Sequence, residues 1–178
     1  MGDNRPYPAL DDVKQRLITA VCQLYRHDQE LLAVDANERS LTHKLAEHLQ
    51  DEFPGWHVDC EYNRHGHEPK RLPVSSPCVH ADDTEAMTVF PDVIVHRRQT
   101  DQNLFVIEVK KTHGQADTRD IEKLEGFTVG GDYRYQYGVF LRLDEDGVSK
   151  AALYQDGAEN ADWTDDLRRA LLDLGYGG

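Results

Sequence analysis

Residues 89–111 read VFPDVIVHRRQTDQNLFVIEVKK, two apolar runs separated by the polar segment RQTDQ. Runs rich in Val, Ile and Phe and bounded by turn residues form paired strands, so the stretch predicts a hairpin of strands over roughly 88–97 and 103–111. Its charges constrain the fold further. Asp92 lies inside the first run, Glu108 and Lys110 inside the second, and charged side chains are rarely buried unless they are paired or bind something. With the turn centred on Thr100, facing residues sum to 200, which sets Asp92 opposite Glu108. Side chains two apart share a face, so Asp92, Glu108 and Lys110 gather on one side of the sheet. Two carboxylates opposed across a ladder repel, the more so when buried. Something positive must lie between them. Either Lys110 forms an ion pair with Glu108 or Asp92, or a hard divalent cation does the work; magnesium takes one or two carboxylates and keeps several waters.

The rest of the chain supplies layers for that sheet. Val13, Leu17, Val21 and Leu24 recur at helical spacing behind Pro8, Asp11 and Asp12, and predict a first helix running to about Val34. A second starts near Asn37, carries Leu41, Leu45, Leu49 and Phe53, and stops at Pro54 and Gly55. WHVDCEYN alternates Trp56, Val58, Cys60 and Tyr62 with polar residues, the period of a half-buried strand. Residues 64–87 contain three prolines and no sustained period, and predict a long irregular loop. DTRDIEKLEGFTV predicts a helix with Ile121, Leu124, Phe127 and Thr128 facing inward, ended by Gly130 and Gly131. QYGVFLRL and SKAALYQD are two more strands, and TDDLRRALLDLG is a closing helix capped by Thr164 and stopped at Gly175. The order predicts an α/β fold, a mixed central sheet flanked by helices.

At 178 residues the chain fits a single domain, 1–178, large enough to bury a core of its own. Hydrophobic content of 39% and charged content of 30% describe a globular protein, and no apolar stretch approaches the roughly 18 residues that span a membrane. MGDNRPYPAL lacks a basic segment followed by an apolar one, so no secretory signal is expected. Cys22, Cys60 and Cys78 are odd in number and have no C-x-x-C spacing, which argues against disulfides and zinc knuckles and for buried free thiols in a reducing cytoplasm. The net charge of -13 opposes non-specific nucleic-acid coating, yet it is unevenly spread. Residues 1–62 hold 12 acids and 6 bases, residues 63–123 hold 10 and 9, and residues 124–178 hold 11 and 5. The acidity lies at the two ends, and the middle third is close to neutral.

Along the second helix, at 100° per residue, Leu41, Leu45 and Leu49 lie within about 60° of Glu38, so Glu38 heads the stripe that faces the sheet. A capping box with Asp35 is its alternative use. Pro91-Asp92, a spacer of 15 residues and Glu108-Val109-Lys110, with Glu38 on a preceding helix, resemble the PD-(D/E)xK phosphodiesterase superfamily, the restriction-endonuclease-like nucleases. The resemblance covers roughly residues 38–143 and implies a restriction-endonuclease-like core, α-β-β-β-α-β, with an extra N-terminal and C-terminal helix. It implies that Asp92, Glu108 and the Val109 carbonyl hold magnesium or manganese. Glu38 would complete the acidic site or support a second ion, and Lys110 would position or activate the attacking water. The chemistry agrees: phosphodiester hydrolysis needs a metal to neutralise the phosphate and make hydroxide available, and a fixed cation to steady developing charge.

Phosphate contacts are expected from Lys111 and Lys123, and from Arg64 and Lys70 in the loop, where Asn63, Gly66 and Arg71 could join a clamp. Thr112, Gln115 and Arg119 lie close by, Arg119 more simply as a solvated helix charge. His65, His67, His80, Asp82 and Asp83 are weak evidence for zinc and read as surface residues. Tyr133, Tyr135 and Tyr137 suit sheet packing better than base stacking. The reading is thus a magnesium-dependent endonuclease with nucleic acid, DNA first, as its partner, and a homodimer or a partner protein as further associations. The alternatives are a non-catalytic nuclease-fold module that recruits a protein, and a nuclease acting on RNA.

Overall fold

The computed structural model describes residues 6–34, 37–62, 64–65, 68–69, 71–72, 87–88, 90–111, 118–131 and 133–172, the four two-residue segments by backbone alone. In chain order the elements are α1 (Leu10–Asp28), α2 (Glu30–Ala33), α3 (Glu38–Glu52), β1 (His57–Cys60), β2 (Arg64–His65), β3 (Glu68–Pro69), β4 (Arg71–Leu72) and β5 (Met87–Thr88). Then follow β6 (Val93–His96), β7 (Asn103–Lys111), α4 (Thr118–Thr128), β8 (Tyr137–Asp144), β9 (Gly147–Gln155), β10 (Ala158–Glu159) and α5 (Ala161–Leu172). Six strands form one mixed sheet in the order β1-β6-β7-β8-β9-β10. All its pairs are antiparallel except β7 with β8, which α4 joins as a parallel crossover. The protein is therefore an α/β fold, a six-stranded mixed sheet with helices packed against it.

The two faces follow from strand alternation. Val93, Val95, Phe105, Ile107, Val109, Val139 and Leu141 point to one side, where α1, α3 and α5 bring Leu17, Val21, Leu24, Leu41, Leu45, Leu49, Leu167 and Leu171. Ile94, Val106, Phe140, Ala152 and Tyr154 point to the other, against Leu124 and Phe127 of α4. A central strand covered on both faces reads as a continuous apolar run, and β7 from Asn103 to Val109 is wholly buried. Gly138 on β8 lets α4 come this close. A Cβ there would stand 3.2 Å from both Leu124 Cδ2 and Thr128 Cγ2.

Several expectations are corrected. The first helix is divided at Gln29, and only the short α2 continues to Ala33. The first strand of the hairpin begins at Val93, so Asp92 stands just before it. The stretch 64–87 carries the short ladders β2-β3 and β4-β5 and is not wholly irregular. Cys22 is only half-buried and Cys60 is exposed, because Cys60 sits at the end of an edge strand; Cys78 lies outside the described residues. Thr164 is not the cap of the last helix. That helix starts at Ala161, Asn160 Oδ1 accepts from the Trp163 N–H at 3.3 Å, and Thr164, fully buried, accepts from the Leu153 N–H of β9 at 2.9 Å. Gly175 lies outside the described residues. No helix among the described residues is long and apolar enough to cross a membrane.

Candidate active site

The hairpin pairs Val93 with Ile107, Ile94 with Val106 and Val95 with Phe105, each summing to 200 as expected, before a bulge shifts His96 onto Asn103. One step further on, the same register sets Asp92 opposite Glu108, on the α4 side of the sheet. Two steps on, it sets Pro91 opposite Val109. Proline has no N–H to donate, so the ladder stops there while β7 runs on to Lys111, paired on its other edge with β8. Carboxylates take over the edge that β6 leaves. Asp92 Oδ2 accepts from the Val109 N–H at 2.8 Å, and Glu38 Oε1 accepts from the Lys111 N–H at 3.3 Å. A strand residue's N–H and C=O point to the same neighbour, so the Val109 carbonyl faces the Asp92 edge as well.

Glu38 reaches this place because it is the first residue of α3, whose Leu41, Leu45 and Leu49 are buried against the sheet. Asn37 caps the helix by accepting from the Ser40 N–H at 2.9 Å, which leaves the Glu38 side chain for the strands; Asp35 lies outside the described residues. Glu38 keeps 38% of its side chain exposed and lies 3.4 Å, through Oε2, from Lys110 Nζ.

An ion pair of Lys110 with Glu108 or Asp92 was one of the two alternatives. The partners of Lys110 are instead Glu38 and Asp120, each at 3.4 Å. Glu108 is served by Lys123 of α4, whose Nζ donates to Oε2 at 2.7 Å and to Asp120 Oδ1 at 3.1 Å. Lys123, expected as a phosphate contact, is thus part of the cluster, with 19% of its side chain exposed. Asp120 is the residue that sequence reasoning missed. It was legible by the argument used for Glu38: four and seven residues ahead of Leu124 and Phe127, it heads the buried stripe of its own helix.

Electrostatics set the state of this cluster. Glu108 is completely buried, and burial together with the neighbouring Asp92 charge pushes its carboxyl well above the ordinary range, against the pull of Lys123. Its second oxygen, Oε1, is buried without a hydrogen-bond partner. Burial also raises Asp92, opposed by the Val109 N–H and by the Lys123 and Lys110 charges. Burial alone would lower both lysines, but Asp120 and Glu38 outweigh it at Lys110, and Glu108 and Asp120 at Lys123, so both are raised and stay charged.

The remaining site candidates divide. Lys111 is half-buried at the end of β7 and Arg119 is exposed on α4. Arg64 and His65 belong to β2 and Arg71 to β4 by their backbone; their side chains, with Asn63, Gly66, His67, Lys70, His80, Asp82, Asp83, Thr112 and Gln115, lie outside what is described. Tyr135 is buried edge-on against Phe127, and Tyr133 packs on the same ring. Among the described residues no three His, Cys, Asp or Glu side chains converge as a metal-ligand set. No protein-family model matches the chain, and no curated protein matches it.

Proposed function

We propose that the protein is a divalent-metal-dependent nuclease of the PD-(D/E)xK superfamily that hydrolyses phosphodiester bonds, with DNA as the first substrate. The observation that carries this reading is that Asp92 and Glu38 accept from the Val109 and Lys111 N–H groups at the end of β7, Lys110 pairs with Glu38, and one oxygen of the buried Glu108 on the same strand is left without a partner. Buried carboxylate oxygens are seldom left so. Charge counting agrees. With every acid ionised, as a bound cation would favour, Glu38, Asp92, Glu108 and Asp120 would carry four negative charges against the two positive ones of Lys110 and Lys123, and the difference of -2 is what one divalent cation cancels. Asp92, Glu108 and the Val109 carbonyl would hold magnesium or manganese, which fits a hard cation bound by one or two carboxylates and waters.

A bound ion would supply charge neutralisation at the phosphate and hydroxide at neutral pH. The chain's own residues do the rest. Lys110, held by Glu38 and Asp120, presents its ammonium to the attacking water and to the charge that builds on the phosphorus oxygens. Lys123 offers a second cation for a phosphate. Asp92 is oriented by the Val109 N–H, which donates to Oδ2 at 2.8 Å.

A second reading has one observation in its favour. Lys123 already occupies Glu108, so the cluster carries cations of its own and could serve to hold the sheet together in a non-catalytic module that binds a protein. The two separate on supercoiled plasmid. Nicking with magnesium or manganese that Asp92→Ala and Lys110→Ala both abolish is the result expected of the nuclease. Absence of cutting, with no divalent cation bound by calorimetry, replaces it with the binding module. A panel of duplex, single-stranded, branched and RNA oligonucleotides then decides the substrate.

A further inference from the structure

The geometry points to Asp120 as a positioning residue that holds both site lysines in place, a role that deepens the nuclease reading and rests on it. Asp120 is buried near the start of α4, its Oδ2 lies 3.4 Å from Lys110 Nζ, and its Oδ1 accepts from Lys123 Nζ at 3.1 Å. Each lysine has one further carboxylate, Glu38 for Lys110 and Glu108 for Lys123, so the charges form a chain from α3 through β7 and α4 back to β7, with Asp120 in the middle. An ammonium is a rotating point charge on a flexible four-carbon stem. Its position is set by its acceptors, and Asp120 is the acceptor that the two share.

A helix-start acid needs no such burial. Aspartate in a first turn favours the helix dipole from the surface as well, whereas Asp120 turns inward beside Leu124 and gives both oxygens to ammonium groups. If its carboxylate is lost, the carboxylates left to the lysines among the described residues are Glu38 for Lys110 and Glu108 for Lys123. That loss removes no proposed metal ligand. The damage should therefore fall on the placement of the lysines more than on the binding of the ion.

The test uses Asp120→Asn and Asp120→Glu in the full chain, with urea midpoints to show that both fold. In metal-free parent protein, proton–nitrogen spectra of the lysine ammonium groups should show slowly exchanging signals for Lys110 and Lys123. In Asp120→Asn the Lys110 signal should vanish into fast exchange and return in Asp120→Glu. With manganese as the probe, calorimetry should give Asp120→Asn an affinity within tenfold of the parent, while plasmid cutting falls by about 100-fold, the scale of one lost electrostatic contact to the transition state, and recovers in part in Asp120→Glu. Unchanged ammonium spectra in Asp120→Asn, or cutting within threefold of the parent, would overturn the role. If the parent neither binds manganese nor cuts, the nuclease reading and the positioning of its lysines for catalysis fall together. If the parent cuts and Asp120→Asn behaves like it, the nuclease stands and the Asp120 role falls alone.

Discussion

Replacing Lys123 by Met tests how the buried acids are held. Methionine keeps the unbranched apolar stem and loses the ammonium. In the parent that ammonium lies 2.7 Å from Glu108 and 3.1 Å from Asp120. Without it Glu108, fully buried, faces Asp92 with no cation on either oxygen. Breaking a buried pair from one side costs about 3–5 kcal/mol. With 19% of the Lys123 side chain exposed, water screens part of the interaction, so the lower end, about 3 kcal/mol, is the expected loss at pH 8.

The loss must depend on pH, because Glu108 can escape its isolation by taking a proton. Its folded-state pKa is already raised, by burial first and by Asp92 next, with Lys123 opposing. Removing Lys123 raises it further. A carboxyl raised on folding means that the native state binds more protons than the unfolded one, so stability is highest below the ordinary carboxylate range and falls as pH climbs through the raised value. The variant's deficit against the parent should therefore shrink on acidification, by at most about 1.4 kcal/mol per pH unit for one proton. At pH 5 the deficit should be smaller than at pH 8. Urea unfolding of chelator-treated protein from pH 5 to 8 measures this directly. An equal deficit at every pH would refute the reasoning, as would a variant as stable as the parent at pH 8.

Two further substitutions probe how the fold brings the site together. Gly138→Ala puts a methyl 3.2 Å from Leu124 and Thr128 side-chain atoms, so α4 must back away, at a cost of about 1–3 kcal/mol in urea melts; an unchanged midpoint would show that the helix has room to spare. Thr164→Val removes the acceptor of the buried Leu153 N–H and should cost about 1–3 kcal/mol, with Thr164→Ser close to the parent; a neutral valine would mean that the N–H finds another partner.

The hairpin register was legible because Asp92, Glu108 and the polar RQTDQ segment leave few ways to pair two apolar runs, and the pairs from Val93 to Val95 follow it. Glu38 was legible because it shares the stripe of Leu41, Leu45 and Leu49. The pairing of the lysines was not. Strand alternation tells which side Lys110 leaves from, but a four-carbon stem reaches past its neighbours, and it ends on Glu38 and Asp120. Lys123 was expected as a phosphate contact, and its own helix does not reveal that it reaches Glu108 of β7. The Thr164 cap failed for a similar reason. A threonine at a helix start satisfies the helix by default, and only the position of β9 shows that Leu153 has the stronger claim on its hydroxyl. Local spacing predicts direction; the partner depends on which element ends up opposite.

Two devices hold the acids, and they behave differently. Glu108 depends on a lysine side chain, so its state changes with pH and with anything that draws Lys123 away. Asp92 and Glu38 are tied to backbone N–H groups of Val109 and Lys111, which neither titrate nor swing. Those donors are open to side chains because β7 outlasts β6, and β6 ends where Pro91 falls in register with Val109. An edge of this kind is ordinarily a liability, since its free donors invite another strand. Here the overhang of one strand past another turns the unpaired edge into a fixed frame for two carboxylates. A residue with an N–H at position 91 could extend the ladder by one pair, bond the Val109 carbonyl and compete with Asp92 for the Val109 N–H. The proline before the aspartate thus acts on the site by what it withholds.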